Sequence, residues 1–261
     1  MDKTVLVLGT TLAATAVLMF GVWLLSLLRK DASVVDIFWG LGFVLIATVS
    51  SAIAKGYGPR KILIVALTAV WGIRLAAHIF WRNRGKGEDF RYRAMRARFG
   101  KRFAIMSLIT VFGLQGSLMW IISIPLQVAQ ISPLPARLGV LDWIGASVWL
   151  IGFVFESVGD FQLALFKSDA ENRGKVMDRG LWKYTRHPNY FGDSLVWWGF
   201  FLIALSAPSG IWTVISPLIM TGLLMKVSGV TLLERTLTKT KPGYPDYVRT
   251  TSAFAPWFPR D

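Results

Sequence analysis

Residues 4–28 read TVLVLGTTLAATAVLMFGVWLLSLL and contain no charged side chain. A helix needs about twenty mostly apolar residues to cross the hydrocarbon core of a membrane. The run is too long for a signal peptide, and it stops at Arg29 and Lys30 rather than at a small-residue cleavage site. We therefore expect these residues to form a retained transmembrane helix.

Six further apolar segments follow along the chain and predict six more spanning helices. Their predicted bounds are 34–54, 61–81, 103–131, 139–166, 190–207 and 210–233. The composition agrees, since 54% of the 261 residues are hydrophobic and the mean hydropathy is +0.50, which excludes a disordered chain. We predict an all-α integral membrane protein with seven transmembrane helices, forming a single membrane domain over residues 1–261.

The basic residues are distributed unevenly between the two predicted membrane faces. The chain carries 29 Lys+Arg against 15 Asp+Glu, a net charge of +14. With the spans above, 22 bases lie on one face and five on the other. Because basic loops stay in the cytoplasm, we expect the N-terminus outside, the C-terminus in the cytoplasm, and cytoplasmic loops at 82–102 and 167–189.

These two loops mix acids, amides, glycines and aromatics with their bases. Attraction to anionic lipid headgroups explains positive charge, but it does not require such variety. A pocket for a phosphorylated ligand with an aromatic base does require it. Nucleic acid is disfavoured as a partner, because the bases lie directly at a membrane face.

Metal chemistry is disfavoured by the composition. The chain has no cysteine, which excludes disulfides, thiolate nucleophiles and Cys-ligated metals, and it has only two histidines, His78 and His187. Two histidines argue against a His-based metal centre. We predict no metal site.

Several ionisable residues lie inside the predicted spans, where such residues are functional candidates. Arg74, His78 and Arg82 share one face of the third helix, and Glu156, Asp160 and Lys167 share one face of the fifth. Asp36 and Asp193 begin the second and sixth spans, and by depth all of these charges lie in the cytoplasmic half or near the midplane. The one-sided distribution favours a polar cavity that opens only to the cytoplasm over the pathway of a channel or transporter. The alternative is that these charges form ion pairs that hold the helices together.

The densest polar motif is GLWKYTRHPNYFGD, residues 180–193. Pro188 biases His187 away from helical geometry, so a helix can start there, and helix N-termini bind anions. Arg186, His187 and Asn189 are therefore placed to hold a phosphate or carboxylate. A helix cap would explain His187 alone, but not this whole set of polar and aromatic residues.

Parts of the chain resemble known membrane enzymes. RHPNYFGD at 186–193, LERTL at 233–237 and YPDY at 244–247 resemble a C-terminal signature shared by isoprenylcysteine carboxyl methyltransferases, phospholipid methyltransferases, sterol C14-reductases and steroid 5α-reductases. The seven spans, with DIFWG at 36–40, RNRGKGEDFRYR at 82–93 and GDFQ at 159–162, resemble the bacterial branch of the steroid 5α-reductase (3-oxo-5-alpha-steroid 4-dehydrogenase) family, DUF1295 type.

This resemblance implies NADPH as the cofactor and assigns roles by position. Asp160 and Lys167 match an acid and a base, seven residues apart, that contact the dinucleotide. Asn189 and Asp193 match residues around the nicotinamide. The predicted cofactor-binding set is Arg82, Glu156, Asp160, Lys167, Lys175, Tyr184, Arg186, His187, Asn189, Tyr190 and Asp193.

The resemblance also implies the reaction. Animal members polarise a 3-keto group with a Glu on the second span and a Tyr on the third. Here Asp36 is the nearest acid and Ile79 stands at the Tyr position, so the predicted catalytic residues are Asp36 with His78 or Tyr92 as donor. The expected function is NADPH-dependent reduction of the C4–C5 double bond of 3-oxo-4-ene steroids or related enone lipids, in a bacterial inner membrane with the active site facing the cytoplasm.

Two other functions stay open. A methyltransferase using S-adenosylmethionine on isoprenylcysteine or phospholipids shares the C-terminal signature, but its cofactor has no phosphates for the basic loops to bind. A transporter or lipid-binding protein is the non-enzymatic alternative. The expected partners are an apolar lipid or steroid substrate and membrane lipids, and neither the natural substrate nor the oligomeric state follows from the sequence.

Overall fold

The computed structural model describes residues 3–227 and 230–260, and this part of the chain is helical with no strand, which confirms the all-α prediction. The helices are α1 (Lys3–Arg29), α2 (Val34–Ile53), α3 (Gly58–Asn83), α4 (Phe90–Phe99), α5 (Phe103–Ser107), α6 (Leu114–Ile122), α7 (Ile124–Ile131), α8 (Val140–Ser168), α9 (Pro188–Leu205), α10 (Ile215–Gly222), α11 (Val230–Thr240) and α12 (Tyr244–Thr250). A π-helical turn at Leu108–Gly113 joins α5 to α6.

Within these ranges, five segments are long and apolar enough to cross a membrane. They are Lys3–Arg29, Val34–Ile53, Gly58–Asn83, Phe90–Ile122 and Val140–Ser168. The first three and the fifth match the predicted spans. The fourth differs at both ends. The basic helix α4 extends it towards the N-terminus. At the other end the helix is interrupted at Ser123, just before Pro125, which cannot donate a main-chain hydrogen bond.

The sixth and seventh predicted spans stay predictions. The helix α9 covers most of 190–207, but its first two turns contain Asn189 and Asp193, and it is not among the apolar spanning candidates. The segment 210–233 is divided into a short 3₁₀ turn, α10, a π-helical turn and the start of α11, and residues 228 and 229 lie outside the described part. The predicted orientation of the termini is likewise untested.

The described chain forms two compact units. The first runs up to Asp142 and includes Ala204–Thr213, and the second comprises Trp143–Ile203 with the chain from Val214 onward. The prediction of a single membrane domain stays a prediction.

In the first unit, α2 and α3 meet at a pair of glycines. A Cβ atom added to Gly40 would collide with the main-chain carbonyl of Gly72, and one added to Gly72 would collide with that of Gly40. Small residues let two membrane helices approach closely enough for their side chains to interlock. The rings of Phe43 and Trp71, both fully buried, pack beside this contact with their centroids 5.7 Å apart.

The first unit also contains a fully buried ion pair. Arg60 Nε donates to Asp142 Oδ1 at 2.7 Å, and both side chains are 0% exposed. Arg60 also donates to the carbonyls of Pro135 and Arg137, while Ser206 and the Gly139 N–H donate to Asp142. These residues lie near the helix ends predicted to face outside. The sequence reading counted Arg60 as a loop residue and left Asp142, at the start of the predicted 139–166 span, out of its set of intramembrane charges, so it did not anticipate this pair.

In the second unit, glycines at seven-residue spacing pack α8 against α9. Gly145 lies against Gly199, and Gly152 lies against Gly192. Gly159, seven residues further along α8, meets the main chain at Asn189. A Cβ added to any of the first four glycines would come within 3.0 Å of the facing main chain, so these positions need glycine, and at Gly159 the contact would be tight. The spacing is visible in the sequence, although the sequence reading did not use it.

Candidate functional site

The helix α9 begins at Pro188, directly after His187, as the sequence predicts. Proline suits the first helical position, because its missing N–H would have no helical partner there and its φ is already helical. The main-chain N–H of Phe191 donates to the carbonyl of His187 at 3.0 Å. His187 and Asn189 therefore flank the positive end of the helix dipole of α9.

Asp160 and Asn189 form a hydrogen bond beside the last glycine contact. Asn189 Nδ2 donates to Asp160 Oδ1 at 3.0 Å, and Asp160 is buried. Glu156, one turn earlier on α8, is buried as well. Close packing at Gly159 brings α8 and the start of α9 near enough for this bond. The structure thus places together two of the predicted cofactor residues, with Glu156 one turn away.

His187 and Arg186 both bind Glu234 on α11. His187 Nε2 lies 2.9 Å from Glu234 Oε1, and Arg186 donates to the two oxygens of this carboxylate at 2.7 and 3.1 Å. Burial raises the pKa of Glu234, but the hydrogen bonds from His187 and Arg186 and the positive charge of Arg186 outweigh it and lower this pKa to about 2. Glu234 is therefore ionised at neutral pH.

The C-terminal segment holds the loop that precedes α9. The Arg186 N–H donates to the carbonyl of Ser252 at 2.9 Å, and the Thr185 hydroxyl donates to that of Phe254 at 2.7 Å. The Trp257 N–H donates to the carbonyl of Tyr184 at 2.9 Å. These three bonds hold residues 184–186 against the C-terminal segment 252–257 and form a clamp, so the loop has a defined position.

Arg186 is placed differently from what the sequence suggested. Besides Glu234, its guanidinium donates to the carbonyls of Val248 at 3.0 Å and of Thr251, and its side chain is only 8% exposed. Most of its N–H groups are thus used within the protein, which leaves it little capacity for a phosphate. The sequence marks Glu234 as an ionisable residue at the end of the predicted seventh span and as part of LERTL, but it does not predict that Arg186 and His187 bind it. The signal that could have linked these residues is that one signature contains both RHP at 186–188 and LERTL at 233–237.

A cavity of about 820 Å³ lies in the second unit, next to this clamp. Its walls include three bases, Lys175, Arg179 and Lys183, and two acids, Asp178 and Asp246. Phe166, Tyr247 and Thr251 also line it, and the carbonyl of Thr251 is one of the acceptors of Arg186. A cavity with surplus positive charge and an aromatic wall suits a phosphorylated ligand.

The remaining predicted cofactor residues of the second unit are less closely grouped. Tyr190 stacks on His187, with ring centroids 5.4 Å apart and the planes within 5°. Lys175 lines the cavity, whereas Lys167 and Tyr184 are exposed. Asp193 lies in the second turn of α9, partly buried. Their cofactor roles stay predictions.

The first unit brings together two of the predicted catalytic residues. The Tyr92 hydroxyl on α4 donates to Asp36 Oδ1 in the first turn of α2 at 2.9 Å. The Gln115 amide donates to the Tyr92 oxygen at 3.2 Å, and Arg91 lies 3.4 Å from the second oxygen of Asp36. Because the phenol has one O–H and Asp36 accepts it, Tyr92 can donate to another group only by exchanging that bond.

The third predicted catalytic residue, His78, lies on α3 with its ring 6.5 Å from that of Trp81. Arg82, four residues further along, is exposed and donates to the Asn83 side chain at 3.3 Å. The catalytic role of His78 stays a prediction, as does the cofactor role of Arg82.

The acids of the mixed segment 82–93 have structural partners. Asp89 caps α4 by accepting from the Arg91 N–H at 2.9 Å. Glu88 accepts from the Ala32 N–H at 2.8 Å and binds Arg96 at the same distance. Helix capping and loop closure therefore account for these acids, and the mixed composition of this loop by itself does not indicate a ligand pocket.

The profile of one protein family, described as Protein of unknown function (DUF1295), matches residues 22–251. The chain belongs to the DUF1295 family. The matched range covers most of the chain and includes both polar groups described above. The predicted DUF1295 type is thereby confirmed, whereas the bacterial branch of the steroid 5α-reductases stays a prediction.

Two other proteins are similar in sequence to this DUF1295 protein. An uncharacterized protein of Schizosaccharomyces pombe is 25% identical over 265 residues, covering 91% of this chain and 75% of the yeast protein. The mouse protein 3-oxo-5-alpha-steroid 4-dehydrogenase 1 is 32% identical over 72 residues, which cover 25% of this chain and only 28% of the mouse protein. No solved structure matches significantly.

Proposed function

We propose that this DUF1295 protein is a membrane reductase that uses NADPH to reduce the C4–C5 double bond of 3-oxo-4-ene steroids or related enone lipids. The partial match to the mouse protein supports the reaction class, and five apolar helices of spanning length support action on a membrane-dissolved substrate. The proposed setting is a bacterial inner membrane, with the site on the cytoplasmic face.

The bond between the buried Asp160 and Asn189 is the observation that carries this proposal. A carboxylate in a helix predicted to span the membrane is costly to bury and is retained mainly where it has a function. Here the glycine contact at Gly159 presents it at the N-terminal end of α9, beside His187. This arrangement provides amide, carboxylate and imidazole groups for a polar ligand in an otherwise apolar region.

Two observations on the second unit support NADPH as its ligand. Lys175, Arg179 and Lys183 line a cavity large enough for a nucleotide and supply positive charge for its phosphates. His187 is buried, and its Nδ1 atom has no hydrogen-bond partner among the residues that the structure describes. A buried polar atom without a partner is costly unless a ligand or solvent pairs with it.

In this proposal the bound cofactor supplies the hydride, and the protein orients the reactants and moves a proton. Asp160 and Asn189 orient polar groups of the cofactor, and the basic cavity holds its phosphates. In the first unit, Asp36 accepts the hydrogen bond of the Tyr92 O–H, and Gln115 donates to the phenol oxygen. When the Tyr92 O–H exchanges this bond for one to a substrate carbonyl, it stabilises the developing enolate oxygen, and the second carbon of the double bond then takes its proton from water.

The test is binding and turnover with purified full-length protein in detergent. We expect NADPH to bind and to be oxidised in the presence of progesterone, with deuterium passing from labelled NADPH to the steroid. Asp160→Ala should abolish NADPH binding, whereas Glu171→Ala, which removes an exposed acid of the same unit, should leave it unchanged.

Two outcomes would contradict the proposal. If the protein binds no NADPH and instead transfers a labelled methyl group from S-adenosylmethionine to an isoprenylcysteine or phospholipid, it is a methyltransferase. If Asp160→Ala leaves NADPH binding intact, the cofactor is not held by the Asp160–Asn189 group.

A further inference from the structure

Glu234 determines which nitrogen of His187 carries a proton. An ionised carboxylate can only accept hydrogen bonds. Arg186 donates to both oxygens of Glu234, and His187 Nε2 lies 2.9 Å from Oε1. For this last contact to be a hydrogen bond, Nε2 must carry the hydrogen. In the neutral imidazole, Nδ1 then carries the lone pair.

The ring of His187 is held in one orientation. It is 1% exposed, and it lies parallel to the ring of Tyr190 with centroids 5.4 Å apart. The main-chain N–H of His187 donates to the Thr185 hydroxyl at 3.3 Å, which restrains the residue further. A ring flip that exchanged the two nitrogens would break the bond to Glu234 and leave this carboxylate with one donor fewer.

The Nδ1 atom is therefore a fixed, buried acceptor. It has no partner in the described part of the chain, and it belongs to a residue adjacent to Pro188 and two positions before Asn189. Hydrogen-bonding a group of this kind needs an N–H or O–H donor from beyond the described residues, and a bound ligand can supply one. A carboxamide and a ribose hydroxyl are both such donors.

We infer that Glu234 is a positioning residue that holds His187 with its proton on Nε2, so that Nδ1 accepts a hydrogen bond from an N–H or O–H group of the bound dinucleotide. The inference rests on the proposed function for the identity of the ligand. It gives the Arg186–Glu234 pair a purpose beyond folding, since Arg186 anchors the carboxylate to the carbonyls of Val248 and Thr251.

The first measurement is the tautomer of His187 in the ligand-free, full-length protein. The chain has only two histidines, so ¹⁵N-histidine labelling gives two imidazole spectra, and the His78→Gln variant identifies which one belongs to His187. We expect His187 to be protonated on Nε2 only. In Glu234→Gln, the neutral amide no longer enforces this state, and a form protonated on Nδ1 should appear.

The second measurement is NADPH affinity. His187→Gln is the matched variant, because the glutamine amide can reach Glu234 as Nε2 does but has no acceptor at the Nδ1 position. We expect thermal stability close to that of the parent, together with NADPH binding weakened about tenfold, the effect of one hydrogen bond. Glu234→Gln should weaken binding by a similar factor, and NADPH should shift the Nδ1 signal of the parent protein.

The two parts of the inference fail separately from the proposed function. A ligand-free His187 protonated on Nδ1, or a Glu234→Gln spectrum identical to that of the parent, overturns the positioning role whether or not NADPH binds. Unchanged NADPH affinity in a folded His187→Gln overturns the acceptor role. If the parent binds no NADPH at all, the proposed function and the ligand part fail together, while the tautomer measurement still decides the role of Glu234.

Discussion

Two buried arginines, one in each unit, are built on the same plan. Arg60 binds Asp142 and the carbonyls of Pro135 and Arg137, and Arg186 binds Glu234 and the carbonyls of Val248 and Thr251. They differ in what else the carboxylate accepts. Asp142 accepts from a serine hydroxyl and a main-chain N–H, whereas Glu234 accepts from His187.

This difference separates a structural ion pair from one that also positions a functional group. Asp142 accepts from Arg60, the Ser206 hydroxyl and the Gly139 N–H, and these bonds only connect parts of the fold. The contact of Glu234 with an imidazole leaves the second ring nitrogen available. The two pairs also differ in side-chain exposure, which is 0% for both Arg60 and Asp142 but 8% for Arg186 and 18% for Glu234. Four predictions test this comparison.

The largest effect is expected from breaking the fully buried pair. Asp142→Ala leaves the Arg60 guanidinium buried without its counter-charge, which costs about 3–5 kcal/mol of stability. Thermal unfolding in detergent should show this as a large drop in Tm. The double variant Arg60→Met with Asp142→Leu should recover most of the loss, because no unpaired charge remains. A small effect of Asp142→Ala alone would contradict the structural role.

A smaller effect on stability is expected from Glu234→Ala. The pair is partly exposed, so removing the carboxylate costs about 1–3 kcal/mol from the unpaired groups of Arg186 and His187. Thr238→Ala, an exposed change one turn further along α11, should stay within about 0.5 kcal/mol of the parent. If Glu234→Ala destabilises the protein as much as Asp142→Ala, the distinction between the two pairs is wrong.

Acid should weaken the second pair in a defined pH range. The folded-state pKa of Glu234 is lowered from 4.5 to about 2, so its contribution to stability is complete above pH 4.5 and is lost as the pH falls towards 2. Arg186, His187, Tyr244 and Tyr247 are the titratable groups that face it. Unfolding temperatures measured between pH 7 and pH 3 should fall less steeply for Glu234→Gln than for the parent. Parallel curves would contradict this assignment.

The smallest effect is expected from a third, more exposed pair. Arg91 lies 3.4 Å from Asp36, with side-chain exposures of 42% and 21%. Exposed ion pairs contribute about 0–1 kcal/mol, so Arg91→Ala should change the unfolding free energy little. Arg93→Ala, an exposed neighbour on α4, is the control. A loss above about 2 kcal/mol would show that exposure does not order these three pairs.

Parts of the site followed from local rules that the sequence contains. The start of α9 at Pro188 could be predicted, because proline removes a donor and fixes φ at that residue alone. The approach of Asp160 to Asn189 was predictable in principle from the seven-residue glycine spacing on α8 and α9. The partners of Arg186 were not, since Glu234 is 48 residues away along the chain and no local rule connects them.

The sequence by itself determined that this chain is a helical membrane protein of the DUF1295 family, because apolar run length and family motifs are properties of consecutive residues. It also marked several of the charges that lie inside apolar helices, such as Asp160. The tertiary structure alone decided how each charge is used. Burial and partner choice depend on which distant segments meet, so Arg60, Arg186 and Arg91 look alike in the sequence. Only the fold makes the first a buried structural ion pair, the second the anchor of a carboxylate that binds an imidazole, and the third a half-exposed surface pair.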